Sequence, residues 1–167
     1  MSDDQLQALL DREAIRELPV RYCDCVWQED LDSLLKLFAK DGEFIIVNGA
    51  KRDAAKGPGM RKMYKQGLGI GPRPYIHNHV VFQDDATHAH GRCYLALHSI
   101  KQNMQFIGAG YYNDTYVKEK GAWKFARREF IALRIDDDPM AQPVRGGAAA
   151  PAAKKKAMTK KKAASKR

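Results

Sequence analysis

The sequence predicts an α+β domain in which helices come first and a curved, mostly antiparallel sheet wraps around them. Three observations predict it: helically spaced apolar residues in the N-terminal third, alternating runs beyond Pro74, and the segment FIGAGYYNDTYVKEKGAWKFARREF from Phe106 to Phe130. That segment reads as two long paired strands. Phe106, Gly108, Gly110 and Tyr112 alternate with Ile107, Ala109, Tyr111 and Asn113, and Lys118-Glu119-Lys120-Gly121 supplies the polar, glycine-ended connection of a longer hairpin loop. From Trp123 onward, strict alternation sends Trp123, Phe125 and Arg127 to one face and Lys124, Ala126 and Arg128 to the other.

The elements follow in order. Leu6, Leu9, Leu10, Ile15, Leu18 and Tyr22 keep helical spacing from Asp3 to about Trp27, with Ser2 or Asp3 as cap and a kink or break expected at Pro19. Asp30 caps a second helix, LDSLLKLFA, which Asp41-Gly42 ends. EFIIVN, Glu43 to Asn48, is a first strand, Asn48-Gly49 a turn and Lys51 to Gly57 a polar loop. Gly57-Pro58-Gly59 opens a short basic helix to about Gln66. After the Gly/Pro-rich connection GLGIGPRP come strands at Tyr75 to Gln83 and Ala89 to Lys101, then the hairpin.

The chain has 167 residues, room for one domain with a core, and a net charge of +9. The charge is not spread evenly. Residues 144–167 hold nine Lys/Arg and no acid, which leaves 20 basic against 20 acidic residues in 1–143. We therefore expect a neutral domain, 1–138, and a disordered Ala/Lys-rich tail, 139–167, too poor in apolar residues to offset its ordering entropy. Lys154, Lys155, Lys156, Lys160, Lys161 and Lys162 make that tail a candidate contact for nucleic acid or another polyanion. Cys23, Cys25 and Cys93 form no disulfide framework, no long apolar run suggests a membrane span, and the acidic N-terminus has no signal pattern. A cytoplasmic protein is expected.

The stretches DREAIRELPVRY, DLDSLLKLFAKDGEF, HNHVVFQDDATHAHGRCYL and GAWKFARR, in that order over roughly Leu9 to Arg134, resemble the SnoaL-like members of the nuclear transport factor two-like superfamily. That group includes scytalone dehydratase, ketosteroid isomerase and hexachlorocyclohexane dehydrochlorinase. The resemblance implies a cone-shaped half-barrel with an apolar internal pocket for an aromatic, polyketide-like or steroid-like ligand, no cofactor, and a homodimer or homotrimer. It also implies a catalytic aspartate at the end of the first helix and a histidine before the strand asparagine. In this chain those positions fall on Trp27 and Pro74. An arginine used on the last strand is matched by Arg128 and a pocket aromatic by Tyr112. Trp27, Phe44, Asn78, Tyr112 and His98 are the candidate ligand contacts.

Three functions stay open on these residues. The first is a binding module without the dyad. The second is a cofactor-independent dehydratase or isomerase with a relocated acid/base pair: Asp24, about 60° round the helix from Trp27, as base, Tyr22 and Tyr112 as hydrogen-bond donors, and Arg128 for developing negative charge. His77 or His79 could supply the imidazole, but both face away from the pocket if Asn78 faces in. The third is tethering to a polyanion through the tail. Two H-x-H pairs, His77/His79 and His88/His90, lack a carboxylate at the spacing of a facial triad, so no metal site is expected.

Overall fold

The computed structural model describes residues 2–135, and opens with a 26-residue helix, α1 (Asp3–Gln28). The expected tail, its lysines and the domain boundary lie outside the described residues. Ser2 starts α1 with a reciprocal capping box: its hydroxyl accepts from the Gln5 N–H, and the Gln5 side chain accepts from the N–H of Ser2. The helix does not break at Pro19. Pro19 is fully buried in a stripe with Ile15, Leu18, Tyr22 and Val26, and that packing offsets the roughly 3 kcal/mol an interior proline costs.

Asp30 caps α2 (Leu31–Lys36), its carboxylate accepting from the Ser33 N–H at 3.0 Å. This helix is shorter than the apolar spacing predicts. The Leu37 carbonyl accepts from the Phe125 N–H at 2.9 Å, so the chain already runs as strand β1 (Phe38–Asn48). Gly42 falls inside that strand, at a point where a Cβ would sit 2.9 Å from the Phe125 carbonyl oxygen; Asp41-Gly42 is a strand irregularity, not a helix stop. Lys51 to Lys56, expected as loop, form an exposed edge strand, β2, whose charges discourage further pairing.

Helix α3 (Pro58–Leu68) begins with proline in its first turn, where the missing N–H is no loss. Then come β3 (Pro72–Gln83), β4 (His88–Ser99), a single 3-10 turn at Ile100–Gln102, β5 (Gln105–Glu119) and β6 (Ala122–Ile135). The β5/β6 connection is tighter than expected. Lys118 and Glu119 belong to β5, and only Lys120 and Gly121, both at positive φ (51° and 81°), make the turn.

The sheet has six strands in the order β2-β1-β6-β5-β4-β3, antiparallel throughout except for β1 beside β6. Helices first, then a mostly antiparallel open sheet: the α+β class is the one the sequence predicts. Ile15, Leu18, Tyr22 and Val26 of α1 join Phe44, Leu95, Tyr112, Tyr116, Phe125 and Phe130 of the sheet in one core. Asp11 adds a polar tie, accepting from the Lys118 ammonium of β5 at 2.7 Å. Among the described residues no helix is long and apolar enough to cross a membrane.

Candidate functional site

The site begins with a miscount in the sheet. On β5 and β6, Thr115 pairs with Arg127 but Tyr116 pairs with Phe125, leaving Ala126 as an extra residue. Such a bulge reverses the alternation beyond it. Trp123 and Phe125 are buried before it, and Arg128 and Phe130 after it. Arg127, which strict alternation would send inside, lies half-exposed against Glu43 and Glu129.

Arg128 is therefore carried to the inner face with 0% of its surface exposed. Its guanidinium carbon lies 3.6 Å from the ring centre of Tyr112, 4.1 Å from that of Tyr22 and 4.4 Å from that of Phe125. Asp114 stands directly opposite on β5, with Oδ2 3.6 Å from Nη2. That is close enough for charge attraction and too long for a hydrogen bond. Nε, Nη1 and Nη2 of Arg128, and Oδ1 of Asp114, are buried without a hydrogen-bond partner. Buried polar groups are normally satisfied, so this concentration of unspent donors and acceptor marks a built polar centre.

Asp114 spends its other oxygen on Tyr116, whose hydroxyl donates to Oδ2 at 3.2 Å. The same hydroxyl lies 3.1 Å from Nε2 of His79 on β3. Since β4 runs between those strands, the contact needs a gap, and Gly91 provides it: a Cβ there would sit 3.5 Å from His79 Nε2 and 3.4 Å from the Tyr116 ring. A second bulge turns His79 inward. Ile76 pairs with Leu95 and His79 with Cys93, so His77 and Asn78 together oppose one residue of β4.

Burial dominates the electrostatics. It raises the Asp114 carboxyl to about 6, although Arg128 and the Tyr116 hydrogen bond both pull the other way. It raises Tyr22 to about 12, Cys23 to about 12 and Cys93 to about 11. Burial lowers His79 to about 4, aided by the positive charges of Arg128 and Arg16. For Arg128 burial alone would lower the pKa, but Asp114, Tyr112 and Tyr22 outweigh it and hold the group charged.

The candidate residues fall into two groups. Tyr22, Tyr112 and Arg128 meet at this centre, and Phe44 stacks on Tyr64 at 4.7 Å beside it. Asp24 does not reach it: two residues from Tyr22 on the same helix, it is exposed on the far side. Asn78 is exposed by the β3 bulge, and His79 faces in, the reverse of the expected alternation. His98 belongs to another cluster, between Tyr75 and Phe106, with Nδ1 donating to the Met104 carbonyl at 2.8 Å. Trp27 joins that region, edge-on to Tyr75 at 5.3 Å and donating its indole N–H to the Pro74 carbonyl at 2.8 Å.

The expected apolar pocket is filled around Arg128 by the rings packed on it. Among the described residues, open clefts lie elsewhere, one of about 700 Å³ between β2 and α3 and one of about 500 Å³ beside Glu29, Arg61 and Lys65. Among the described residues no cluster of His, Cys, Asp or Glu could hold a metal ion, and the three cysteines are free. Asp114 and Tyr116 are not among the residues the sequence offered, and His79, offered as a substitute imidazole expected to face out, faces in. The signal for the first two was present: in Gly110, Tyr112, Asp114 and Tyr116 every second residue shares one face, so a carboxylate was due to be buried between two tyrosines.

Solved structures share this architecture. A protein of unknown function with a cystatin-like fold from Nostoc punctiforme aligns with 25% identity and a TM-score of 0.65, covering 78% of this chain and 93% of its own. An NTF2-like protein from Novosphingobium aromaticivorans aligns at 24% identity and TM-score 0.67, covering 81% and 89%. Hexachlorocyclohexane dehydrochlorinase from Novosphingobium barchaimii aligns at 20% identity and TM-score 0.68, covering 79% and 92%. No curated protein matches the sequence. A family model, the SnoaL-like domain, matches residues 7–129, and the chain belongs to the SnoaL-like domain family.

Proposed function

We propose that this SnoaL-like domain binds a small aromatic, polyketide-like or steroid-like molecule and takes a carbonyl or anionic oxygen of that molecule on Arg128. One observation carries the reading: a fully buried guanidinium, stacked among three rings, with all three nitrogens lacking a hydrogen-bond partner. A buried cation is costly unless paired and hydrogen-bonded, and a ligand oxygen would supply what Asp114, at 3.6 Å, does not. The rings favour an aromatic body, which binds by replacing one phenol against the guanidinium. Exposed Val80, Phe82 and Tyr94 on the other side of the sheet support a homodimer or homotrimer.

A second reading, acid-base chemistry of the dehydratase or isomerase kind, is favoured by the Asp114 carboxyl, which burial pushes up to about 6 within 4 Å of that cation. Its base is Asp114 in place of Asp24. The test is a calorimetric screen of aryl carboxylates and hydroxyaryl ketones against the protein and its Arg128→Met variant. Binding that is lost in the variant supports the anchor; equal binding by both proteins removes Arg128 from the site.

A further inference from the structure

Three side chains from two strands are joined in line: His79 Nε2, Tyr116 Oη and Asp114 Oδ2, separated by 3.1 and 3.2 Å. We infer that they form a proton relay, which carries a proton from the half-buried His79 imidazole to the sealed Asp114 carboxylate. A phenol has one proton, and that constraint orders the chain. While Asp114 is a carboxylate it accepts the Tyr116 proton, so the Tyr116 oxygen must accept from His79, which is then the Nε2–H tautomer.

The transfer step is balanced. The His79 Nε2–H bond breaks as Tyr116 Oη gains that proton, the original Tyr116 O–H bond breaks as Asp114 Oδ2 gains the other, and His79 takes one proton from water at Nδ1. The products are neutral Asp114, a Tyr116 hydroxyl that donates to Nε2, and the Nδ1–H tautomer of His79. One proton has left solvent and one negative charge has been neutralised.

The surroundings suit this direction of travel. Asp114 is 2% exposed and His79 half-buried, so the imidazole is the end nearer water. His79 meets Arg16 from α1 and the field of Arg128 from β6, and both keep it neutral, hence able to change tautomer without becoming an imidazolium. Around Asp114 the charged and titratable groups are Arg128 on β6, Tyr116 on its own strand, Cys93 on β4 and Cys23 on α1. Of these only Arg128 is charged near neutral pH. Oδ2 is also the Asp114 oxygen beside Arg128, 3.6 Å from Nη2, so a proton that the carboxyl gives from Oδ2 to a ligand oxygen there is replaced at the same atom through Tyr116. Gly91 is the structural condition for the path, because a side chain there would stand between His79 and Tyr116.

This use of the relay rests on the reading of Arg128 as the ligand anchor, but its test needs no ligand, so the two fail separately. The full-length protein labelled with ¹⁵N-histidine and ¹³C-aspartate is titrated by NMR from pH 4.5 to 8. The expected result is that the His79 ring nitrogens exchange their protonated and unprotonated shifts, Nε2–H at high pH and Nδ1–H at low, with the same midpoint as the Asp114 carboxyl carbon. In Tyr116→Phe the exchange disappears, and in Asp114→Asn, which keeps the shape and cannot ionise, His79 holds one tautomer throughout. A His79 tautomer that stays fixed while Asp114 titrates, an Asp114 that does not titrate in this range, or a switch that survives either substitution overturns the relay.

Discussion

The indole N–H of Trp27 donates to the Pro74 carbonyl at 2.8 Å, which brings together the two positions where the family resemblance implied an aspartate and a histidine. The fold still juxtaposes these positions, but here they make a structural contact with Arg73 over the Trp27 ring. Replacing Trp27 with Phe leaves a carbonyl without its donor and is expected to cost about 1–2 kcal/mol in chemical denaturation. Ligand affinity at Arg128 is expected to be unchanged. An affinity loss without a stability loss would instead place Trp27 in the binding site.

Arg128 and Asp114 form a pair in which each compensates the other. Arg128→Met leaves a buried carboxylate and is expected to destabilise by about 3 kcal/mol at pH 8, the scale for breaking a buried pair. Below pH 5 the cost shrinks, because Asp114 can then be neutral. The double variant Arg128→Met, Asp114→Asn removes both charges and is expected to recover most of the stability while binding no ligand. Additive losses in this cycle would contradict the coupling.

The pH dependence of stability contains two opposed slopes. Asp114 has its folded pKa raised to about 6 from 3.8, so the folded state binds the extra proton and stability falls as pH rises through that window. The size is on the order of 2–3 kcal/mol, from about 1.4 kcal/mol per unit. His79, lowered from 6.5 to about 4, acts in reverse: the unfolded state binds the extra proton, so stability rises with pH between those values. The wild-type profile is expected to be shallow between pH 4 and 6. Asp114→Asn should tilt it upward with pH and His79→Gln downward, as read by urea denaturation at each pH.

Gly91→Ala is expected to destabilise by about 1–3 kcal/mol, the range for forced overpacking. The new Cβ would lie 2.5 Å from the Val80 carbonyl oxygen, so β3 and β4 must part locally. Loss of the His79–Tyr116 contact in NMR spectra checks the direction; an unperturbed His79 would contradict it.

Removal of residues 139–167 is expected to leave the thermal transition of the domain in place and to abolish binding to duplex DNA. With the tail present, neutralising up to nine phosphates gives a log-log salt slope of at most about −8. DNA binding that persists with its slope after truncation would remove the tail as the polyanion contact.

The sequence was most legible where periodicity was long. The α1 stripe, the β5/β6 pairing and the helices-then-sheet order could be read from apolar spacing, because many residues vote on each. The site was legible in type but not in phase. Tyr22, Tyr112 and Arg128 do meet, yet strict alternation sent Arg127 inward with Phe125 and sent His79 outward opposite Asn78. Each error has the same cause, one extra residue in a strand, at Ala126 and at His77-Asn78, and no local residue preference announces such a bulge. Strand β2 was missed for a different reason. An edge strand needs neither apolar alternation nor β-branched residues when nearly all of its side chains meet water, and in β2 only Ala55 is part-buried against the core.

The Ala126 bulge also means that the identity of the interior cation is decided by counting. Two arginines stand side by side, Arg127 and Arg128, and leaving the residue before them out of the pairing selects which one is sealed in. Deleting Ala126 would remove the bulge and keep every pair on either side of it, so Phe125, Arg128 and Phe130 would still face inward on a regular ladder. The same residues paired without the bulge would instead turn Arg127 inward, so the pairing, and not the composition, decides which chemistry the sheet encloses.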